Sequence, residues 1–155
     1  MLTFFPNPYP DEILYSVFAR YHVRSGNTSP KGTLRELFGA DYNTATIDLP
    51  SNISSLIKNM PIASAYTAES FITNNTLYPF YAPFLPEKRA RTVYKAMLSN
   101  NGGNIHTRTG IMASSINVPK YLRYCPECFI EDTKVFGEPY WHRTHQISGY
   151  VICSK

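Results

Sequence analysis

The stretch Tyr121-Leu122-Arg123-Tyr124-Cys125-Pro126-Glu127-Cys128-Phe129 decides how the fold is read, because helix-patterned sequence precedes it and cysteine-bearing sequence follows. Two thiolates separated by two residues on a tight turn are able to face one ion. Pro126 favours that turn, and Tyr124 and Phe129 flank it with apolar cover. Tyr121 to Tyr124 reads as a strand running into the pair, and Phe129 to Phe136 as a helix stopped by Gly137 and Pro139. Tyr150-Val151-Ile152 reads as a second strand entering Cys153, 25 residues beyond Cys128. A cysteine knuckle, a helix and a strand ending in a third cysteine is the layout of a small α+β zinc-finger module. Cys125, Cys128 and Cys153 are its candidate metal ligands and Zn2+ its candidate structural ion. The fourth ligand stays open among His145, His142, solvent and a residue beyond Lys155. His142-x-x-His145 is one residue short of the usual two-His spacing and would leave Cys153 idle. Three unrelated cysteines, a thioredoxin-like redox pair and a catalytic zinc are the rivals. The second needs an alternating strand-helix pattern that is absent, and the third a Glu base at motif spacing that is also absent.

Upstream, the pattern is helical. Asp11 to Arg24 carries Ile13, Leu14, Val17, Phe18 and Tyr21 on one stripe, with Asp11 and Glu12 predicted in the first turn and Gly26 past the end. Ser29-Pro30 opens a second helix that Gly39 stops. Ser51 is the expected cap of a third, through Met60, and Thr67 of a fourth, through Phe71 and Ile72. Thr76 to Phe84, aromatic and punctuated by Pro79 and Pro83, reads as an ordered extended connection. Glu87 to Ser99 reads as a helix whose basic face carries Lys88, Arg89, Arg91 and Lys95. Asn100-Asn101-Gly102-Gly103-Asn104 then marks the expected boundary, dividing the chain into a helical region, 1–103, and a zinc-finger region, 104–155. The stretch from Ile105 to Pro119 is weakly patterned. Helices two and three, with Lys31, Arg35 and Lys58 exposed, offer a helix-turn-helix, against which the connection from Gly39 to Pro50 is far longer than a three- or four-residue turn. Lys31, Arg35, Lys58, Lys88, Arg89 and Arg91 are the candidate DNA-contacting residues. The commoner meaning of such residues is a solvated surface on ordinary packed helices.

The 155 residues are 43% hydrophobic, 17% charged and 14% aromatic, which excludes a disordered tail and a coiled coil and specifies a chain that folds. Fifteen Lys and Arg against eleven Asp and Glu leave a formal charge of +4, a mild bias toward anionic partners. Met1 to Pro6 lacks the basic start and long apolar run of a signal peptide, and no stretch approaches a membrane span, so the expectation is a cytoplasmic protein. No Gly-rich phosphate loop, Ser-His-Asp set or carboxylate pair at catalytic spacing is present, and nothing supports an enzyme.

With those residues in view, Phe5-Pro6-x-Pro8-Tyr9-Pro10-x-Glu12-x-Leu14-Tyr15-Ser16 with Ala19-Arg20, then Arg123-Tyr124-Cys125-Pro126-Glu127-Cys128, Trp141-x-Arg143-x-x-Gln146 and Cys153, resemble the N-terminal region of the TnsD/TniQ family of bacterial transposon target-selection proteins. Ser29-Pro30-Lys31, Leu49-Pro50-Ser51 and Thr76 to Phe84 agree with its TnsD-like branch. The resemblance implies a mainly α fold: a helical N-terminal region with helix-turn-helix character, then a zinc-finger region. It implies a non-catalytic role in which the protein recognises double-stranded attachment-site DNA, close to the nucleoid, and recruits the AAA+ ATPase regulator of the transposase. The family's Cys-x-x-Cys … Cys-x-x-His finger falls on Cys125, Cys128 and Cys153, with its His one position past Lys155, which implies a chain cut within the motif. The alternative is a stand-alone zinc-containing helix-turn-helix DNA-binding module.

Overall fold

Leu14, Val17, Phe18 and Tyr21 recur at helical spacing and are all buried, which makes α1 (Leu14–Ser25) the inner helix of the bundle. The chain is described by a computed structural model over residues 1–39, 46–100, 102–110 and 119–153. α1 ends at Gly26, whose φ of 71° is the left-handed conformation that glycine adopts without a Cβ penalty. α2 (Pro30–Phe38) starts with proline in its first turn and stops at Gly39, as its sequence signals require. α3 (Ile53–Asn59) and α4 (Ala68–Asn75) follow. α4 opens on a reciprocal capping box: the Thr67 hydroxyl accepts from the Ser70 amide, and the Ser70 hydroxyl accepts from the Thr67 amide.

Four sequence expectations are corrected here. Asp11 and Glu12 do not lie in the first turn of α1 but precede it, because Glu12 is wholly buried in ionic and backbone contacts and Asp11 turns the chain with a φ of 55°. Asn52, not Ser51, caps α3: its amide donates to the Ser99 carbonyl at 2.9 Å and its side chain accepts from the Ser55 hydroxyl at 2.7 Å. The Thr76 to Phe84 segment is not extended; it forms the short α5 (Tyr78–Tyr81) and a 3-10 turn (Ala82–Phe84). Pro79 and Pro83 fall in the first turns of these pieces, where no amide hydrogen is needed.

α6 (Glu87–Leu98) and α7 (Ile105–Thr109) complete the bundle. The core draws on α1, α2, α3, α4, α6 and α7, with Ile53, Leu56, Phe71, Ile72, Val93 and Met97 among its most deeply buried members. Each such side chain contributes about 1.5–3 kcal/mol of transfer free energy. Ile105, just after the Asn-Gly cluster, belongs to the same core. Gly102 sits so close to Ser51 that a Cβ on it would meet the Ser51 side chain at 2.5 Å.

α8 (Pro126–Phe136) starts inside the cysteine turn, with Cys125 as its N-cap, and ends at Gly137. The fourth correction concerns the strands expected at Tyr121–Tyr124 and Tyr150–Ile152. Among the described residues no strand forms there; the β-pairing present is an isolated bridge between Glu12 and His142. The reason is that side chains take the places of a partner strand. The Gln146 amide accepts from the Arg123 amide at 3.1 Å and donates to the Arg123 carbonyl at 2.8 Å. The Arg123 guanidinium donates to the Tyr150 and Ile147 carbonyls at 2.8 and 2.5 Å. The fold is therefore mainly α throughout the described residues. No described helix is long and apolar enough to cross a membrane.

Candidate metal centre and its attachment to the helical region

The turn into α8 carries Cys125 on its rim and Cys128 on its inner side, and the segment after the Thr144–Gln146 3-10 turn returns Cys153 to them. The three sulfurs lie within 4.8 Å of one another, with Cys128 Sγ and Cys153 Sγ 3.6 Å apart. His145 Nε2 lies 3.5 Å from Cys153 Sγ and 4.0 Å from Cys128 Sγ. A tetrahedron with metal–sulfur bonds of about 2.3 Å and a metal–nitrogen bond of about 2.0 Å has edges of about 3.8 Å between sulfurs and about 3.5 Å between nitrogen and sulfur. The Cys128–Cys153 and His145–Cys153 spacings agree with those edges, and the three thiols form a group that could hold one ion. His142, the other candidate, is turned away: its Nε2 is 2.8 Å from the buried Asp132 carboxylate.

The electrostatics agree. Burial, reinforced by the two neighbouring thiols, pushes Cys128 up to about 12. The amide of Cys128, foremost, and that of Glu127 hold Cys125 below its ordinary thiol value. Three adjacent thiolates coexist only around a cation, whose charge reverses the upward shift. Burial, then the His142 ring 4.9 Å away, holds His145 below the usual imidazole value, keeping it in the neutral form that ligates. Its Nδ1 is buried with no hydrogen-bond partner among the described residues, a departure from the usual ligating histidine, which donates its second N–H.

This cluster is fastened to the N-terminal segment by a continuous polar and aromatic seam. Glu12 accepts from the Tyr9 amide at 2.9 Å, the Ser16 hydroxyl at 2.7 Å and the Arg20 guanidinium at 2.8 Å. Arg20 also donates to Glu138 at 2.8 Å and lies 3.8 Å over the Tyr9 ring. The Ile13 amide donates to the Trp141 carbonyl at 3.0 Å, and the Arg143 amide to the Asp11 carbonyl at 2.6 Å. The Asp11 carboxylate accepts from the Thr144 amide and hydroxyl at 3.1 and 2.7 Å. Rings of Tyr9, Phe136, Tyr140, His142 and His145 pile along the seam at centroid distances of 4.4 to 5.7 Å.

The TniQ family model matches residues 3–155. The chain belongs to the TniQ family. The Transposon Tn7 transposition protein TnsD of Escherichia coli is similar to it, 32% identical over 151 residues that cover 97% of this chain and 30% of that protein. The chain thus spans about 30% of the length of that relative.

In this TniQ-family chain the motif residues from the two ends of the sequence meet in space. Pro8-Tyr9-Pro10-x-Glu12 and Arg20 form one wall of the seam, and Trp141-x-Arg143 forms the other. Reading the sequence alone missed this partnership of Asp11, Glu12, Arg20 and Glu138. The one available signal was an acid and an arginine eight residues apart on an otherwise apolar helix face. The candidate DNA residues are spread over three helices. Lys31 and Arg35 are exposed on α2, Lys58 on α3, and Lys88, Arg89 and Arg91 on α6. Arg35 lines a cavity of about 570 Å³ with Arg24, Glu36 and Asn59, and Arg91 is ion-paired to Glu87 at 2.5 Å. α2 and α3 pack against each other, and positions 40–45 of the connection between them lie outside the described residues.

Proposed function

We propose that this chain is a non-catalytic target-site selector and adaptor of a bacterial transposition system, acting in the cytoplasm at the nucleoid. In this reading structural Zn2+ is held by Cys125, Cys128 and Cys153, with His145, whose Nε2 lies beside Cys128 and Cys153, as the proposed fourth ligand. The ion would supply cross-linking alone, fixing the start of α8 to the Cys153 segment. The helical region, 1–103 together with α7 that packs on its core, with its helix-turn-helix character, and the metal-binding region that follows together present the surface that binds double-stranded attachment-site DNA and recruits the AAA+ ATPase regulator. Lys31, Arg35, Lys58, Lys88, Arg89 and Arg91 are the proposed DNA contacts.

The observation that carries the reading is the likeness to a Tn7 transposition protein over nearly the whole chain, in which the two ends of the sequence meet at one seam beside the thiol cluster. Two measurements test it. Elemental analysis should return one zinc per chain, lost in Cys125→Ser, and a metal-free yet fully folded chain would end the metal assignment. Attachment-site duplex should be retained against excess unrelated DNA, and the ATPase should be captured by the chain. Specific duplex binding without ATPase capture would instead indicate a stand-alone DNA-binding module, and neither activity would end the adaptor reading.

A further inference from the structure

Most arginines of the chain that touch the seam are already neutralised by carboxylates. Arg20 and Arg24 pair with Glu138, and Arg143 with Asp11. The C-terminal end of α6 differs. The C-terminal half of α6, the turn after it and α7 enclose an open cleft of about 470 Å³, lined chiefly by Thr92, Lys95, Ser99, Asn100, Asn104 and Arg108. Among the described residues no carboxylate lines it, and neither Lys95 nor Arg108 has an ion-pair partner. The other lining groups are hydroxyls and amides, which donate hydrogen bonds to anionic oxygens. A metal ion or an apolar ligand would find no matching partner there.

We infer that this cleft seats the phosphate backbone of duplex DNA, with Lys95 and Arg108 each taking a phosphate and Thr92, Ser99 and Asn104 donating to their oxygens. Lys88, Thr92, Lys95 and Ser99 fall at i, i+4, i+7 and i+11, a single stripe along α6, so Lys88 continues the cleft by about 10 Å toward the helix start. Phosphates recur about every 3.4 Å of duplex axis along one strand, so a stripe of that length spans several of them. The carbonyl end of α6 carries a partial negative charge of about half a unit, which the two full cations exceed. The walls are fixed before anything binds. The Ser99 amide donates to the Lys95 carbonyl at 3.2 Å, its carbonyl accepts from the Asn52 amide at 2.9 Å, and Gly102 abuts Ser51. α7 is held by His106, whose Nε2 lies 2.9 Å from both Asp48 carboxylate oxygens.

The seat rests on the DNA-binding part of the reading above. Its test is a salt series of duplex binding by fluorescence anisotropy, on target and scrambled duplexes, for the whole chain, Lys95→Gln/Arg108→Gln, and Lys134→Gln on exposed α8. Circular dichroism verifies folding of each variant. The double variant should lose about 1.8 from the slope of log K against log salt, equally on both duplexes, while Lys134→Gln leaves the slope in place. An unchanged slope in the double variant, or an equal loss in Lys134→Gln, overturns the seat and leaves the selector reading standing. Loss confined to the target duplex also overturns it, since that would be base reading. An unsubstituted chain without duplex affinity at any salt overturns both the seat and the DNA-binding part of the proposed function.

Discussion

The two regions of this molecule are held together by different physics. In the helical region Leu14, Ile53, Leu56, Phe71, Ile72, Val93 and Met97 are sealed from water. In the described residues from Lys120 onward the buried apolar side chains are Cys128 and Tyr140. The other buried groups are Asp132, His142, His145 and Gln146, while Tyr121, Tyr124, Phe129, Ile130, Val135, Val151 and Ile152 are exposed. A segment of this size with so little apolar burial does not recover its chain entropy from a core. It depends instead on the proposed ion and on the seam to Asp11, Glu12 and Arg20. Apolar burial builds one region, and cross-links and charge place the other upon it.

The sharpest way to break this contrast is Cys128→Ser. Metal binding supplies roughly 10–16 kcal/mol of apparent free energy in zinc-finger peptides, so its loss should release residues beyond 120 while α1 to α6 keep their protection. Hydrogen exchange followed by mass spectrometry reads both regions at once. Uniform protection across the chain would show that the C-terminal part stands without the ion.

Phe71→Ala strikes the other region. A fully buried phenylalanine should cost about 3–5 kcal/mol, read as a lowered denaturation midpoint, with metal content unchanged in the folded fraction. A cost under about 1 kcal/mol would mean that the core is not what holds the helices.

Arg20→Ala tests the seam and is expected to approach the same range, about 3–5 kcal/mol, because it strands the buried Glu12 carboxylate. Burial already raises Glu12 above its ordinary value, despite the Tyr9 amide, Ser16 and Arg20, so its ionisation opposes folding as pH rises past the ordinary carboxylate range. Removing Arg20 deepens that opposition. The variant should therefore be closer to the unsubstituted chain at about pH 4 than at about pH 7. A pH-independent deficit would assign the loss to packing against Tyr9 instead.

The gentlest probe is Asp48→Asn. The hydrogen bond that His106 donates to the Asp48 carboxylate, outweighing partial burial, raises His106 above its ordinary value. The stabilisation from this pair is complete below the ordinary imidazole value of about 6.5 and fades as pH rises through the raised folded value. In Asp48→Asn the His106 titration followed by NMR should move back toward that ordinary value. An unmoved midpoint would remove Asp48 as its cause.

Much of the helical region is legible in sequence because its signals are local. Ser29-Pro30 and Gly39 bound α2, Thr67 caps α4, and the apolar stripe of α1 lies where its spacing puts it. The errors fall where tertiary contacts override local preference. Asn52 displaced Ser51 as a cap because Ser99 supplies its amide with a carbonyl across the bundle. Glu12 left the first turn of α1 because Arg20 and Ser16 hold it in the interior. The strand patterns at Tyr121 and Tyr150 failed because alternation records side-chain character, whereas a strand needs a backbone partner, and Gln146 and Arg123 act in its stead. At the candidate metal centre the cysteine spacing marked three candidate donors; favouring His145 over His142 beside them required the Asp132 contact that turns His142 away.

The seam also sets an order of events for a ribosome. Tyr9 bonds Glu138 across 129 residues, Pro10 accepts from Tyr140 across 130, and Asp11 meets Thr144 across 133. At ordinary synthesis rates the first partner waits on the order of ten seconds for the second to emerge. Through that interval Glu12 and Arg20 have their local partners Asn7, Tyr9 and Ser16 but lack Glu138, while the nascent helices already hold enough apolar surface to collapse. The stretch from Glu138 to Thr144 is thus the one that locks the first, and until it emerges Asp11 and Arg20 lack their distant partners.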